Sequence, residues 1–298
     1  MLRDYGIHVP FSCQGASDGI ENSTYFLRAG EREWVLTLFE ALSSQELPFF
    51  ISLMTELHAH KLPVAYPLAD QQGKTLHCLS GKPALLFPRL TGAHVMNVHA
   101  AHCAAIGAFL GEMHTRTANY PEARINPHGT QWMQTSQQHL PNLLDDEKNL
   151  LTEQINNAVF VRAQGLPQGI IHGDLFRDNA LFVGGGEQLA GVIDFYHAGT
   201  DVLLLDLAIA INDWCALANG SVDEVLAQTM VSAYCAQRHV TAHEQQHWPT
   251  LLQLAAARFW LSRLWVERTK TRQTLKPSAE YLLRLRYHRE HKMPVRWG

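Results

Sequence analysis

No apolar stretch reaches the ~18 residues that a membrane-spanning helix needs, and the first ten residues, Met1–Pro10, lack the basic-then-apolar pattern of a secretory signal. A cytoplasmic protein without a membrane partner is therefore expected. Cysteine is scarce and dispersed: Cys13, Cys78, Cys103, Cys215 and Cys235 form no CxxC pair, and their number is odd. That argues against a disulfide framework and for reduced thiols. The 17 histidines are scattered, with no HExxH and no close His/Cys cluster, so no zinc site is expected. Long runs of Lys or Arg are also missing and the formal net charge is -4, which speaks against a nucleic-acid partner, since phosphate backbones are met by clustered cations. Internal repeats, low-complexity tracts and flexible linkers are absent as well.

What remains is an ordinary globular composition, with hydrophobic residues at 46% of 298, enough to build one large domain or two lobes around a sizeable core. Residues 1–92 read as a strand-rich lobe. Tyr25–Leu27 and Trp34–Phe39 are short apolar runs divided by Gly30-Glu31-Arg32, a hairpin pattern. Leu47, Phe50, Ile51, Met54 and Leu57 recur at helical spacing until Leu62-Pro63. Two more strands follow, near Leu76–Cys78 and Ala84–Pro88, on either side of the turn Ser80–Pro83. The expected order is β-β-α-β-β. After the boundary at Leu90-Thr91-Gly92 the chain turns helical. Ala100–His114 is a small-residue helix suited to close packing, 115–140 reads as irregular, and Asp145–Gln164 as a further helix. A hairpin is expected from Ala180–Val183 and Leu189–Ile193. From 207 to 292 the pattern is nearly continuous helix, with breaks at Asn219-Gly220 and Pro249.

The chemistry lies between the two helical stretches. His172–Asn179 reads HGDLFRDN and is followed by Ile193-Asp194-Phe195 and Asp206-Leu207-Ala208. His172 and Asp174 with Asn179 have the spacing of the protein-kinase catalytic loop, HRDxxxxN. Phosphoryl transfer needs an aimed acceptor hydroxyl, metal ions to neutralise phosphate charge and a carboxylate to take the hydroxyl proton. Asp174 is the expected catalytic carboxylate. Asn179 and Asp194 offer the oxygen ligands that Mg²⁺ prefers. His172 and Asp206 are expected to be scaffold, Asp206 by accepting hydrogen bonds from the backbone or from His172.

HGDLFRDN with IDF and DLA resembles the aminoglycoside-phosphotransferase-like kinases, relatives of protein kinases that phosphorylate small alcohols. Within that superfamily the chain is similar to the homoserine kinases. The closer likeness is carried by Gly19–Phe26, Val35–Glu40, Glu46–Phe50 and Gly81–Ala84. In the second half it is carried by His172–Asn179, Ile193–Tyr196, Asp206–Ile209, Ile211–Cys215 and Arg258–Leu264. It spans about residues 5–290. The resemblance implies an α+β, bilobal protein-kinase-like fold. Residues 1–92 would be a small antiparallel-sheet lobe that binds nucleotide, and residues 93–298 a larger, mainly helical lobe with the catalytic and substrate-binding groups. It implies ATP and Mg²⁺ as cofactors and L-homoserine as the acceptor, giving O-phospho-L-homoserine in threonine biosynthesis. The alternatives are a kinase of another amino alcohol (choline, hydroxylysine or an aminoglycoside) and a non-catalytic pseudokinase.

Two departures accompany the likeness. Thr37 stands where kinases carry the Lys that holds the α- and β-phosphates, a substitution homoserine kinases of this type share. Arg89, a Lys elsewhere, or the metal with backbone N–H groups would take over that task. The N-terminus is also shorter than the family's usual one, so an N-terminal helix or strand is expected to be missing. Gly19–Ser23 is the turn expected to cover the phosphates. It is not Gly-rich, and it would present Ser23, Thr24 and backbone N–H groups; an ordinary hairpin turn is the alternative. Phe87-Pro88-Arg89-Leu90 is the expected adenine-binding hinge. Pro88 has no N–H, so the donor is Arg89 or Leu90. For the zwitterionic acceptor, Asp213 and Trp214 would supply an ammonium partner and a wall, and Arg263 or Arg258 a bidentate carboxylate partner. Trp260 shares a helix face with Arg263, and Arg177 sits within the catalytic loop itself. A purely structural Asp213–Arg pair stays open, as does surface exposure of Arg177.

Overall fold

A computed structural model describes residues 1–16, 22–269 and 277–298. Strands β1 (Ser12–Gly15), β2 (Asn22–Ala29), β3 (Arg32–Phe39), β4 (His77–Leu79) and β5 (Lys82–Pro88) form an antiparallel sheet in the order β1-β2-β3-β5-β4, with helix α1 (Leu47–Ala59) between β3 and β4. The β2–β3 hairpin turns at Gly30, whose φ of 63° is a left-handed conformation that glycine adopts without steric cost. Side chains alternate across the sheet. Trp34 and Leu36 lie on the outer face, packed with Ile7, Leu27, Ala84 and Leu86. Val35, Leu85 and Phe87 belong instead to the core shared with α1. That helix buries Leu47, Phe50, Leu53, Met54 and Leu57, and its Pro48 stands at the first turn, where no backbone donor is lost.

The expected β-β-α-β-β order gains β1. All four of its residues are exposed, so no apolar alternation marks them in the sequence. Leu2–Tyr5 forms a 3-10 turn ahead of β1.

The rest is mainly helical: α2 (Ala100–Arg116), α3 (Thr130–His139), α4 (Asp145–Arg162), α5 (Leu203–Trp214), α6 (Glu224–Cys235), α7 (Ala242–Thr269) and α8 (Ser278–Glu290). Between α4 and α5 lie β6 (Gln168–Ile171), β7 (Ala180–Phe182), β8 (Leu189–Val192) and β9 (Gly199–Val202), paired as β6–β9 and β7–β8. The α+β class expected from the sequence holds. Among the described residues no helix is long and apolar enough to cross a membrane.

Three local expectations change. The segment 115–140 contains α3, whose polar composition, TQWMQTSQQH, hides it. Pro249 does not break the last long helix but lies inside α7. Burial of Trp248, Leu251 and Leu252 beside it outweighs the loss of one backbone hydrogen bond. The β6–β9 pair, too, is not apparent from the sequence.

The small-residue character of α2 serves a close crossing with α6. A Cβ on Gly107 would collide with the carbonyl of Met230, and one on Gly111 would lie 2.7 Å from the carbonyl oxygen of Tyr234. The β7–β8 hairpin ties the two halves of the chain together. Ala93 and Phe182 exchange backbone hydrogen bonds of 2.9 Å each, while Val192 donates to Pro63 and accepts from Ala65.

Candidate active site

The loop from His172 to Asn179 runs along one face of α5. Asp206 and Asp213, seven apart on α5, share that face, and Trp214, about 100° further round, reaches the same loop. Asp206 accepts the backbone N–H of His172 at 2.7 Å and of Gly173 at 2.9 Å. Trp214 donates its indole N–H to the carbonyl of Leu175 at 3.1 Å. Asp213 accepts from the backbone N–H of Arg177 at 2.9 Å. Three side chains of one helix thus hold four points of one loop. Asp206 is fully buried. Burial pushes its carboxyl upward, but the hydrogen bond from His114, the neighbouring imidazoles and the Gly173 N–H together hold it below the usual carboxylate range.

His172 joins this loop to the segment after β8 that carries Asp194. Its Nδ1 accepts the N–H of Asp174 at 3.2 Å, and its Nε2 lies 3.0 Å from the carbonyl of Ile193. The ring is therefore neutral with its proton on Nε2, and burial pushes its pKa below the usual histidine value. The N–H of Ile193 in turn donates to the carbonyl of Asn179 at 3.0 Å. Asn179 donates its amide N–H to the Asp174 carbonyl at 2.8 Å and to Asp174 Oδ2 at 3.1 Å. With Nδ2 so engaged, Oδ1 is the atom available to a cation. Asp194 is exposed, with φ 62° and ψ 58°. A non-glycine residue there costs ~1–3 kcal/mol, which the paired residues on both sides sustain. Tyr196, two residues on, packs edge-on against Phe39 and Phe50, so the first half of the chain reaches the Asp194 turn directly.

On the nucleotide side, Thr24 and Thr37 are cross-strand partners on β2 and β3. By alternation they share the inner face with Val35 and Phe87. Ser23 falls on the other face and donates to Glu40 at 2.6 Å, and Glu40 also pairs with Lys82. It is not brought to the cleft. The rest of the expected phosphate-covering turn, Gly19–Glu21, lies outside the described residues. At the expected hinge, the N–H of Arg89 donates to the carbonyl of Glu33 at 3.2 Å, so of the two expected adenine donors only Leu90 is not spent on β3. The Arg89 side chain stacks on Phe26 at 4.6 Å and pairs with Glu33 at 3.3 Å, so it is held at the hinge and not over the phosphates.

On the acceptor side the expected groups separate. Arg177, three residues after Asp174, is 40% exposed, and its Nε bonds Asp213 at 3.2 Å. Asp213 Oδ2 is thus engaged by the loop. Trp214 and Trp260 are buried in the core and are not walls of an open pocket. Arg263 pairs with Glu280 at 2.8 Å and lies over Tyr281. The other arginine of that helix, Arg258, is the one near Asp174, with Nη1 3.8 Å from Oδ1. It is buried, and its Nη2 bonds His128 Nδ1 at 3.0 Å. His128 has no counterpart in the sequence reading, because it sits in an aperiodic segment and its partner lies 130 residues away. Among the described residues no group of three or more His, Cys, Asp or Glu side chains is placed to hold a metal.

A family model described as "Phosphotransferase enzyme family" matches residues 12–234. Among curated proteins, the chain is 42% identical to a homoserine kinase of Pseudomonas aeruginosa (strain UCBPP-PA14) over 266 residues, covering 88% of this chain and 81% of that protein. It is 41% identical to a homoserine kinase of Cupriavidus pinatubonensis over 276 residues, covering 89% and 84%. Among solved structures it is similar to an amicoumacin kinase in complex with AMP-PNP and Ca²⁺ (TM-score 0.72, 17% identity, 97% of this chain and 91% of that one). It is likewise similar to a choline kinase from Streptococcus pneumoniae (TM-score 0.67, 13% identity, 97% of each chain).

Proposed function

The chain belongs to the phosphotransferase enzyme family, and from that premise we propose that it is a homoserine kinase, moving the γ-phosphoryl group of ATP to the side-chain hydroxyl of L-homoserine. The observation that carries this reading is the 42% identity to homoserine kinases across 88% of the chain. The products are ADP and O-phospho-L-homoserine, a step of threonine biosynthesis, in a cytoplasmic setting with small molecules as the partners.

The geometry supports the chemistry. Asp174, held by Asn179 through its carboxylate and by His172 through its N–H, takes the proton of the attacking hydroxyl. Asn179 Oδ1 and Asp194 would hold Mg²⁺. The fit is good: both offer hard oxygen donors, and two protein ligands suit an ion that keeps water and phosphate oxygens in its shell. When bound, Mg²⁺ neutralises charge on the β- and γ-phosphate oxygens. Adenine would be read by Leu90 N–H beside Phe87, with Thr24 and Thr37 under the phosphates. Arg177 is the exposed cation beside the reacting centre and would meet the acceptor's carboxylate, while Asp213 holds it there.

A coupled ADP-release assay with homoserine, choline, serine, hydroxylysine and kanamycin tests the reading. Turnover of homoserine with Mg²⁺ is expected. Turnover of only choline or kanamycin would remove the substrate assignment, and ATP binding without turnover of any acceptor would favour a pseudokinase.

A further inference from the structure

A buried arginine lies within ion-pair distance of Asp174. Arg258 projects from α7, its Nη1 lying 3.8 Å from Asp174 Oδ1, with a side chain only 8% exposed. Its guanidinium carbon lies 3.8 Å from the ring centre of Phe259, and Nη2 donates to His128 Nδ1 at 3.0 Å. Because that nitrogen accepts, His128 is neutral. Burial, together with Arg258, His197 and Arg124, lowers its pKa to about 2. His128 is itself tethered: its backbone N–H donates to Asn126 Oδ1 at 2.9 Å, and Asn126 donates to Asp201 Oδ2 at 2.7 Å. A continuous chain of contacts therefore runs from β9 through Asn126, His128 and Arg258 to Asp174.

We infer that Arg258, locked in place by His128, is the positioning residue for Asp174. This rests on the reading of Asp174 as the group that takes the hydroxyl proton. The carboxylate is held at two corners, Oδ2 by the amide of Asn179 at 3.1 Å and Oδ1 by the field of Arg258. Two anchors on two oxygens define the plane of the group and hence the direction in which it accepts a proton. Arg258 is buried and committed to His128 and Phe259, which suits a group that acts through Asp174. The neutral His128 suits the task, since a protonated ring would repel Arg258 and withdraw the acceptor nitrogen.

The test measures kcat and KM for homoserine in Arg258→Met, Arg258→Lys, His128→Leu, His128→Asn, Asp174→Asn and the double variant Arg258→Met/Asp174→Asn, with thermal unfolding as the fold control. Arg258→Met is expected to lower kcat ~10- to 100-fold, with KM changed less than about threefold. Arg258→Lys keeps the charge and is expected to regain part of the loss. His128→Asn keeps an acceptor at the δ position and should exceed His128→Leu in kcat. In the Asp174→Asn background, Arg258→Met should cost nothing further, because the group it positions is gone. A raised KM at unchanged kcat, multiplying effects in the double variant, or normal kcat in Arg258→Met would each overturn the inference. Should Arg258→Met fail to fold, wild-type kcat in both Arg258→Lys and His128→Leu would overturn it equally. Near-normal kcat in Asp174→Asn alone would instead remove the role assigned to Asp174, an outcome distinct from failure of the positioning claim.

Discussion

Asp213 Oδ2 receives two hydrogen bonds from a single residue, one from the backbone N–H of Arg177 at 2.9 Å and one from its Nε at 3.2 Å. One carboxylate oxygen thereby sets both the path of the loop and the direction of its exposed cation. Asp213→Asn keeps an acceptor for the backbone N–H and loses the charge. Because Arg177 is 40% exposed, the ion pair itself is worth at most ~1 kcal/mol. Asp213→Ala also orphans the backbone N–H and is expected to cost ~2 kcal/mol. Urea unfolding should rank wild type above Asn above Ala. The KM for homoserine should rise in both variants as Arg177 is released. Equal stabilities for Asn and Ala would show that the backbone bond contributes nothing.

Three donors converge on Asp206: the N–H groups of His172 and Gly173 and the Nε2 of His114 at 3.2 Å. An amide cannot serve them all, since one of its two heteroatoms is itself a donor. Asp206→Asn is expected to destabilise the protein by ~2–4 kcal/mol and to lower kcat at saturating substrate. A variant with wild-type unfolding and wild-type kcat would show that α5 does not hold the loop through this residue.

Acid should unfold the protein well above the carboxylate range. His128, His197 and His288 are pushed by burial and nearby cations down to about 2, about 3 and about 4. Each folded-state pKa lies below the ordinary value of 6.5, so the unfolded chain binds more protons as the pH falls through 6.5. The stability these rings contribute is complete above that pH and declines below it, by up to ~1.4 kcal/mol per ring per pH unit. The Asp206 carboxyl, depressed in the fold, adds a further loss only below its unfolded value of 3.8. Urea midpoints at pH 7.5 and 5.5, followed by tryptophan fluorescence, should differ clearly. Equal midpoints would show that the rings are not kept neutral in the fold.

The α2–α6 crossing is set by backbone contact. Gly107→Ala gains up to ~1 kcal/mol of helix propensity, yet its Cβ would overlap the Met230 carbonyl. Overpacking of this kind costs ~1–3 kcal/mol and the neighbour is backbone, so a net loss of several degrees in Tm is expected. An unchanged or raised Tm would show that the two helices separate freely.

The fold class and the reacting loop were legible in the sequence because their signals are local. Alternating apolar runs with turn residues mark β2, β3 and β5, and HGDLFRDN with IDF places Asp174, Asn179 and Asp194 within 21 residues. What escaped is tertiary. β1 has no buried residue to create alternation, and α3 is polar but for Trp132 and Met133, too few to mark a helical period. The partner of Ser23 is Glu40 and that of Arg263 is Glu280, pairings that remove both from the cleft and that nothing in their own segments announces. Arg258 and Arg263 look alike in RFWLSRL. They differ only in that one meets His128 and Asp174 while the other meets Glu280.

The loop assigned the chemistry, 172–179, ends about 24 residues before the helix that holds it, Leu203–Trp214. During synthesis the reactive carboxylate emerges first and stays unshaped until α5 leaves the ribosome and folds. Arg258 arrives later still. A chain truncated before α5 therefore carries the whole HGDLFRDN signature without the helix that holds it in place.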